Sequence, residues 1–310
     1  MQEKIPRQAL GPQGPVTSRL GLGSWNTWDR MPFGDAVDLI GAAVAAGVTL
    51  FDVAHYDTGP HAEQGTTDLI FGRAVRAAGV ARSDYQLCGK LWLWDYPRSG
   101  FADQLATALD RVGVESADAV VVGDYLERPD LVRVVHDVHE QIEAGRFRTW
   151  GVNNWPGADL DEAFAVAARD GLAPPSFAQL KYGLVRRTLA RQPAYATRFA
   201  EGTLGLQASD VLEGGVLAGH RHPERKIGAD PEGIRDAVRD AADRLADLAR
   251  DVHASAAQLA IAFCLADPHV TNVLVGVSRR AQLDENLAAL ALCAQARELS
   301  AELDRLWLDR

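Results

Sequence analysis

Val48-Thr49-Leu50-Phe51-Asp52-Val53-Ala54-His55-Tyr56-Asp57 is a short apolar run that ends abruptly in ionisable side chains. From Val48 to Val53 it is β-branched and apolar on both alternating faces, the pattern of a strand buried on both sides of a parallel sheet. A carboxylate at Asp52, just past such a strand, is costly to bury alone and calls for a cationic or hydrogen-bonding partner. Lys90 is the candidate. It closes a second strand-like run, Tyr85-Gln86-Leu87-Cys88-Gly89-Lys90, so both charges emerge at one rim of a parallel barrel, the face on which such barrels carry their sites. The expectation is a partly buried Asp52–Lys90 pair at that rim.

Outward from this stretch the alternation repeats. Ser18 to Gly23 reads as a strand, followed by a helix from Gly34 to Ala46 with Gly47 as its C-terminal cap. A helix from about Thr66 to Ala78 follows the organising strand. Beyond Lys90 come a helix from Phe101 to Val112, a buried strand from Asp118 to Val122 and a helix from Asp130 to Ala144. Arg148 to Val152 is the fifth strand, Leu160 to Asp170 the fifth helix and Ser176 to Leu180 the sixth strand. In the seventh unit, Thr203 to Gln207 opens into a Gly-, His- and charge-rich stretch from Glu213 to Asp230, and a loop that long is usually functional or mobile. Helix-forming sequence resumes at Gly233, Val273 to Gly276 makes the eighth strand, and Ala281 to Ala294 and Glu298 to Leu308 read as outer helices. Exchange of helix and strand at roughly thirty-residue intervals is the signature of βαβ units. Eight strands predict an α/β fold, a (β/α)8 TIM barrel spanning 1–310 as one domain, over an open doubly wound sheet. No G-x-G-x-x-G follows the first strand, which removes the usual argument for a Rossmann site.

Composition narrows the function. At 310 residues and 47% hydrophobic, the chain can build a large core, and α/β barrels routinely run this long as one domain. No apolar run reaches the roughly 18 residues that a membrane span needs, and the N-terminus lacks the apolar core of a signal peptide, so a cytoplasmic protein without a membrane partner is expected. A net charge of −10 from scattered carboxylates argues against a nucleic-acid surface. Cys88, Cys264 and Cys293 sit singly in apolar segments, without the paired spacing of a metal site or disulfide framework. Richness in Ala, Arg, Asp and Gly is compatible with a high-GC bacterial source.

Six motifs, taken in order, resemble the aldo-keto reductase superfamily over nearly the whole chain. They are Leu20-Gly21-Leu22-Gly23-Ser24-Trp25; Phe51-Asp52-Val53-Ala54 with Glu63; Gly89-Lys90; Gly145 to Trp155, which carries Asn153 and Asn154; Leu217-Ala218-Gly219; and Gly276-Val277-Ser278-Arg279 with Gln282, Glu285 and Asn286. The resemblance implies a (β/α)8 barrel that binds NADPH across its C-terminal rim and transfers hydride to a carbonyl. The chemistry accounts for such residues independently. Hydride addition makes an alkoxide, so the site needs a proton donor and a positive or hydrogen-bonding environment aimed at that oxygen. A tyrosine whose pKa is lowered by a lysine, itself held by an aspartate, supplies both.

The family's tetrad is Asp, Tyr, Lys and His, and Asp52 and Lys90 carry over directly. The family spacing places its tyrosine at Asp57, one residue after Tyr56, while the interval from Asp52 to Glu63 is the family's own. Compensating local shifts bring Tyr56 inward; otherwise His55 or Asp57 takes the slot. The histidine position falls on Gly123, which leaves Asp124 as a substitute only if protonated. On the cofactor side, Asn153, Asn154 and Gln179 fall where the family binds the nicotinamide carboxamide, a group that asks for both donor and acceptor. Ser209 replaces the aromatic that stacks beneath the nicotinamide, with Asp210 beside it. Ser278 and Arg279 sit where a ribose 2′-phosphate lies, and a guanidinium suits a phosphate. Trp25, Leu212, Gly276, Gln282, Glu285 and Asn286 complete the expected cofactor contacts.

The leading reading is therefore an NADPH-dependent oxidoreductase acting on an aldehyde, ketone or sugar, in either direction, as a monomer or weak homo-oligomer. The altered tetrad motivates two others, a barrel catalysing elimination or isomerisation and a non-catalytic cofactor sensor. Trp25, Trp28, Trp92, Trp94, Tyr125 and Trp155 are candidate pocket aromatics, suited to a sugar's C–H face or to an aromatic ring.

Overall fold

The computed structural model describes residues 5–56, 65–222, 230 and 233–310. The organising strand is shorter than its apolar run, Leu50–Asp52, and all three residues are buried. It is one of eight parallel strands closed into a barrel: β3 (Leu20–Gly23), β4 (Leu50–Asp52), β5 (Gln86–Leu91), β6 (Ala119–Val122), β7 (Thr149–Asn153), β8 (Phe177–Lys181), β9 (Gly205–Ser209) and β10 (Val270–Val275), with β10 returning to β3. Between them run helices including α1 (Phe33–Ala45), α2 (Thr67–Ala77), α3 (Phe101–Val112), α4 (Leu131–Glu143) and α5 (Gly157–Asp170). The barrel is the (β/α)8 fold expected from the strand count, with helices packed outside through apolar faces such as Phe101, Leu105, Leu109 and Val112 of α3.

A hairpin that the strand pattern did not announce, β1 (Arg7–Ala9) and β2 (Val16–Ser18), precedes the barrel. Leu10, fully buried, follows β1 and joins Leu50, Cys88, Ala119, Val121, Phe177 and Leu274 in an apolar cluster at the barrel floor. The approach is close: a Cβ at Gly205 would lie 2.1 Å from the Leu10 carbonyl oxygen. Three-residue strands carry too little alternation to be read reliably from sequence. The same hairpin claims Ser18, so the first barrel strand begins at Leu20.

Other differences have local causes. After β8 the chain forms α6 (Thr188–Arg191) and α7 (Pro193–Glu201), and before β10 it forms α8 (Arg235–Asp251) and α9 (Ala256–Ala266). Helix α9 is apolar nearly all round, without the stripe that marks a surface helix. Its N-terminus nevertheless carries a complete capping box, Ser255 with Gln258. The stretch expected as one helix from Ala281 to Ala294 divides into α10 (Arg280–Ala288), a 3-10 turn (Ala289–Leu292) and α11 (Cys293–Glu298), and the last outer helix shrinks to α12 (Ser300–Asp304). Among the described residues, no helix is long and apolar enough to cross a membrane.

Register does the placing. Gln179 pairs with Asn153 on one side and Gln207 on the other, and Gln207 pairs with Asn272. Four amide side chains thus stand abreast on β7, β8, β9 and β10. Asp52 pairs with Cys88, two residues before Lys90, on the opposite wall.

Candidate active site

Above this polar layer lies a cavity of about 280 Å³ at the C-terminal ends of the strands. Asp52, Tyr56, Lys90 and Asp124 all line it, with Trp25, Asn153, Asn154, Gln179, Ser209, Leu212, Gly276 and Gln282. A second cavity of about 190 Å³ is lined by Arg279, Glu285 and Asn286. Leu212, Ala218, His220, Gly276 and Gln282 border both, so the two form one elongated groove. Ser278 borders neither: its backbone N–H and hydroxyl both donate to Gln282 Oε1, at 2.9 and 3.0 Å.

Asp52 is 4% exposed, but it does not meet Lys90 directly. The Gln179 amide stands between them, its Nε2 donating to Asp52 Oδ2 at 2.7 Å and its Oε1 accepting from Lys90 Nζ at 3.0 Å. The expected ion pair is replaced by an amide-bridged one, because the register puts the long side chain of Gln179 at the height of both charges. Burial alone would lower the Lys90 pKa; the facing Asp52, Tyr56, Cys88 and Asp124 outweigh it and hold the ammonium above its ordinary value.

Tyr56 is turned inward. Its ring is buried, 5.6 Å from Trp92 and 6.4 Å from Trp25, and Lys90 Nζ lies 5.4 Å from the Trp92 ring centroid, within cation–π range. His55 contributes its backbone, whose carbonyl accepts from Trp92 Nε1 at 2.8 Å, and its side chain does not line the cavity. Asp57 and Glu63 lie outside the described residues.

The position matched to the family histidine is filled from elsewhere. A Cβ at Gly123 would lie 2.9 Å from Trp92 Cε3 and 3.1 Å from the Leu91 carbonyl oxygen. The indole of Trp92, stacked on Trp94 at 4.3 Å, takes that space. Of the aromatics expected in the pocket, Trp25 and Trp92 line it. Trp28 and Trp155 are fully buried, and the Trp155 Nε1 donates to the Gly123 carbonyl at 2.9 Å. Tyr125 turns its hydroxyl to Asp159. These three are packing residues.

Hydrogen-bond capacity separates the amides expected at the carboxamide. Gln179 Oε1 accepts from Lys90 and Asn153 Nδ2, and its Nε2 donates to Asp52 and Gln207, so all four positions are taken. Asn153 Nδ2 also faces the Gln179 carbonyl, and Asn154 Oδ1 accepts from the Lys181 N–H at 2.8 Å. That leaves Asn153 Oδ1 and Asn154 Nδ2, one acceptor and one donor, as the pair open to a carboxamide. Asn154 (φ 52°) and Asp210 (φ 56°) follow β7 and β9 directly in left-handed backbone, which turns both side chains toward the groove.

Lys181, Gln207 and Asn272 belong to none of the six motifs. Lys181 borders the cavity together with Ser209 and pairs with Asp210 at 3.3 Å. Gln207 and Asn272 are fully buried in apolar strands; a polar residue inside such a run was the available signal. At the outer end, Arg280 is tied to Asp284 at 2.9 Å, whereas Arg279 has no partner among the described residues and faces the second cavity.

The aldo/keto reductase family profile matches residues 19–307. The chain belongs to that family. A relative from Oryza sativa subsp. japonica, named "Probable voltage-gated potassium channel subunit beta", is 30% identical over 91% of this chain and 90% of its own length. One of the same name from Arabidopsis thaliana is 26% identical over the same shares. A thermostable aldo-keto reductase solved with the inhibitor epalrestat superposes with a TM-score of 0.75 at 22% identity, covering 97% of this chain and all of that one. The family's chemistry is oxidoreduction with a nicotinamide cofactor.

Proposed function

We propose that the chain acts as one unit, an NADPH-dependent reductase of small-molecule carbonyls, aldehyde, ketone or sugar, cytoplasmic and monomeric or weakly self-associating. The observation that carries the reading is the shared cavity of Tyr56, Lys90 and Asp52, with Lys90 held charged beside Tyr56. In this reading Tyr56 gives its hydroxyl proton to the developing alkoxide, and the Lys90 ammonium stabilises the phenolate left behind. Asp124 borders the same cavity and would be the second polar group near the carbonyl.

The groove suits the cofactor. Asn153 Oδ1 and Asn154 Nδ2 would hold its carboxamide, Leu212, Gly276, Gln282, Glu285 and Asn286 its length, and Arg279, paired with no described residue, its 2′-phosphate. The bound nicotinamide supplies the hydride. A fluorescence titration with NADPH, followed by a panel of aldehydes and sugars read at 340 nm, tests the proposal. Saturable NADPH binding with turnover of at least one carbonyl supports it; the absence of both removes it.

A second reading is favoured by one observation. With Trp92 filling the space at Gly123, the tetrad lacks its imidazole, and a chain that retains NADPH without turning over a carbonyl would serve as a cofactor sensor. The channel-subunit name of the two plant relatives is compatible with such a role. The same titration separates the two, since the sensor binds NADPH and leaves every carbonyl unreduced.

A further inference from the structure

The carbonyl end of the groove carries one charge that hydride transfer leaves unused. Asp52, Asp124 and Asp210 border the first cavity together with Lys90 and Lys181, so among the described residues three carboxylates face two ammoniums. Two of the three are matched. Asp210 pairs with Lys181 at 3.3 Å. Burial opposes the Lys90 ammonium, and of the groups that sustain it Asp52 acts most strongly and Asp124 least. Asp124 borders the cavity, yet among the described residues it has neither a hydrogen bond nor an ion pair. His220 also borders the cavity, at its junction with the second one.

The fold puts this carboxylate at the end where a substrate, not the length of the cofactor, would meet it. Lys90 and Leu91 pair with Val121 and Val122, so the chain leaving β6 runs beside the chain leaving β5. Gly123, next to Asp124, accordingly abuts the Trp92 indole. Trp25, Tyr56 and Trp92 border the cavity with Asp124, and none of these four borders the second cavity, where Arg279 lies. The rings of Trp25 and Tyr56 are 6.4 Å apart and tilted by 38°. A carboxylate beside aromatic walls is a setting that recognises cations, the carboxylate by Coulomb attraction and the rings by their quadrupoles. Toward an anion the same carboxylate is repulsive.

We infer that Asp124 sets the charge preference of the site: it selects carbonyl compounds that carry an ammonium near the carbonyl and turns away those that carry a carboxylate. Lys90 does not cancel this preference. Its charge is offset by Asp52, and that of Lys181 by Asp210, so an entering cation meets Asp124 as the charge left over. The inference rests on the reductase reading for its effect on turnover, but preference for a cation in the cavity is measurable without turnover. Hydride still goes from the nicotinamide to the carbonyl carbon and the Tyr56 proton to the oxygen, and the substrate's own charge takes no part in bond making.

The test uses the full-length protein with NADPH present at about pH 8, where imidazoles are ordinarily neutral. Three aldehydes are compared by kcat/KM: trimethylammonioacetaldehyde, tert-butylacetaldehyde, which has the same shape without the charge, and succinic semialdehyde, which carries a carboxylate. Native protein should prefer the cation to its neutral isostere and the isostere to the anion. Asp124→Asn should cut the cation-to-neutral ratio by about tenfold or more, the scale of one charge pair in a partly screened site, and raise the anion-to-neutral ratio. Asp124→Glu should keep the native order. Comparing these ratios between native and variant divides out the intrinsic reactivity of each aldehyde and any general effect of the substitution on catalysis. Native protein without a preference for the cation, or a preference that Asp124→Asn leaves intact, overturns the inference. If native protein reduces none of the three, the reductase reading fails, and calorimetric binding of the matching alcohols, choline and its tert-butyl analogue, decides the inference instead. Tighter binding of choline than of its analogue, lost in Asp124→Asn, then upholds the role of Asp124, and equal binding of the two alcohols, or a difference that survives in Asp124→Asn, overturns it.

Discussion

The two ends of the groove are built on opposite principles. At the inner end, Gln179 is saturated between Asp52, Lys90, Asn153 and Gln207, and the layer is anchored down to Ser18. At the outer end, Arg279 is exposed and held by no described residue, while its neighbour Arg280 is tied to Asp284. Chemistry needs groups fixed before the reactants arrive, because reorganisation during the reaction adds to the barrier. Recognition of a phosphate needs a charged group with its hydrogen bonds still to make. Variants at the inner end should therefore change turnover more than binding, and variants at the outer end the reverse.

The largest effect is expected at Lys90. Lys90→Met should cut carbonyl reduction by about 10²–10⁴-fold, the usual range for an acid–base group, with little loss of thermal stability, since Gln179 Oε1 still accepts from Asn153. Asp52→Ala should lower the melting temperature as well, because it leaves a Gln179 N–H buried without an acceptor, at a cost of about 1–3 kcal/mol. Arg279→Ala should weaken NADPH binding by about 1.5–3 kcal/mol and leave NADH almost unchanged, measured by parallel fluorescence titrations with Arg280→Ala as the paired control. Equal weakening of both cofactors would erase the contrast between the two ends. Gly123→Ala should cost about 1–3 kcal/mol of stability by crowding Trp92, and a double-mutant cycle with Trp92→Ala should recover part of it.

The smallest effect concerns the loop beneath the groove. Burial pushes the Glu213 carboxyl up to about 7, although Arg186 Nε donates to it at 2.9 Å. A raised acid binds its proton more tightly folded than unfolded, so its stabilising contribution is present at low pH and is lost as pH rises toward and through about 7. Melting temperature measured between about pH 5 and pH 8 should fall slightly, and Glu213→Gln should flatten that fall. A steeper fall in Glu213→Gln would assign the dependence to another group.

Sequence and structure agree best where local pattern and tertiary context ask for the same thing. Strands such as Ala119–Val122, buried on both faces, are legible because nothing but apolar side chains fits there. Asp52 and Lys90 were legible as ionisable residues ending apolar runs. What joins them was not. Gln179 sits 89 residues from Lys90 and 127 from Asp52, so only the closed register of the barrel brings the three together. The same holds at Gly123, where the neighbour that fills the site, Trp92, belongs to the chain leaving another strand. Tyr56 shows the limit of counting: it stands one residue before the position that the family spacing names, and it lines the cavity all the same.

Tyr56→Phe tests the central claim most directly, because it removes one hydroxyl and nothing else. NADPH affinity by fluorescence and aldehyde reduction at 340 nm would be measured on the same preparations of native and variant protein. The account predicts unchanged NADPH affinity and a loss of turnover of about 10²–10⁴-fold. Full reductase activity in Tyr56→Phe would contradict it and move the proton donor to another residue.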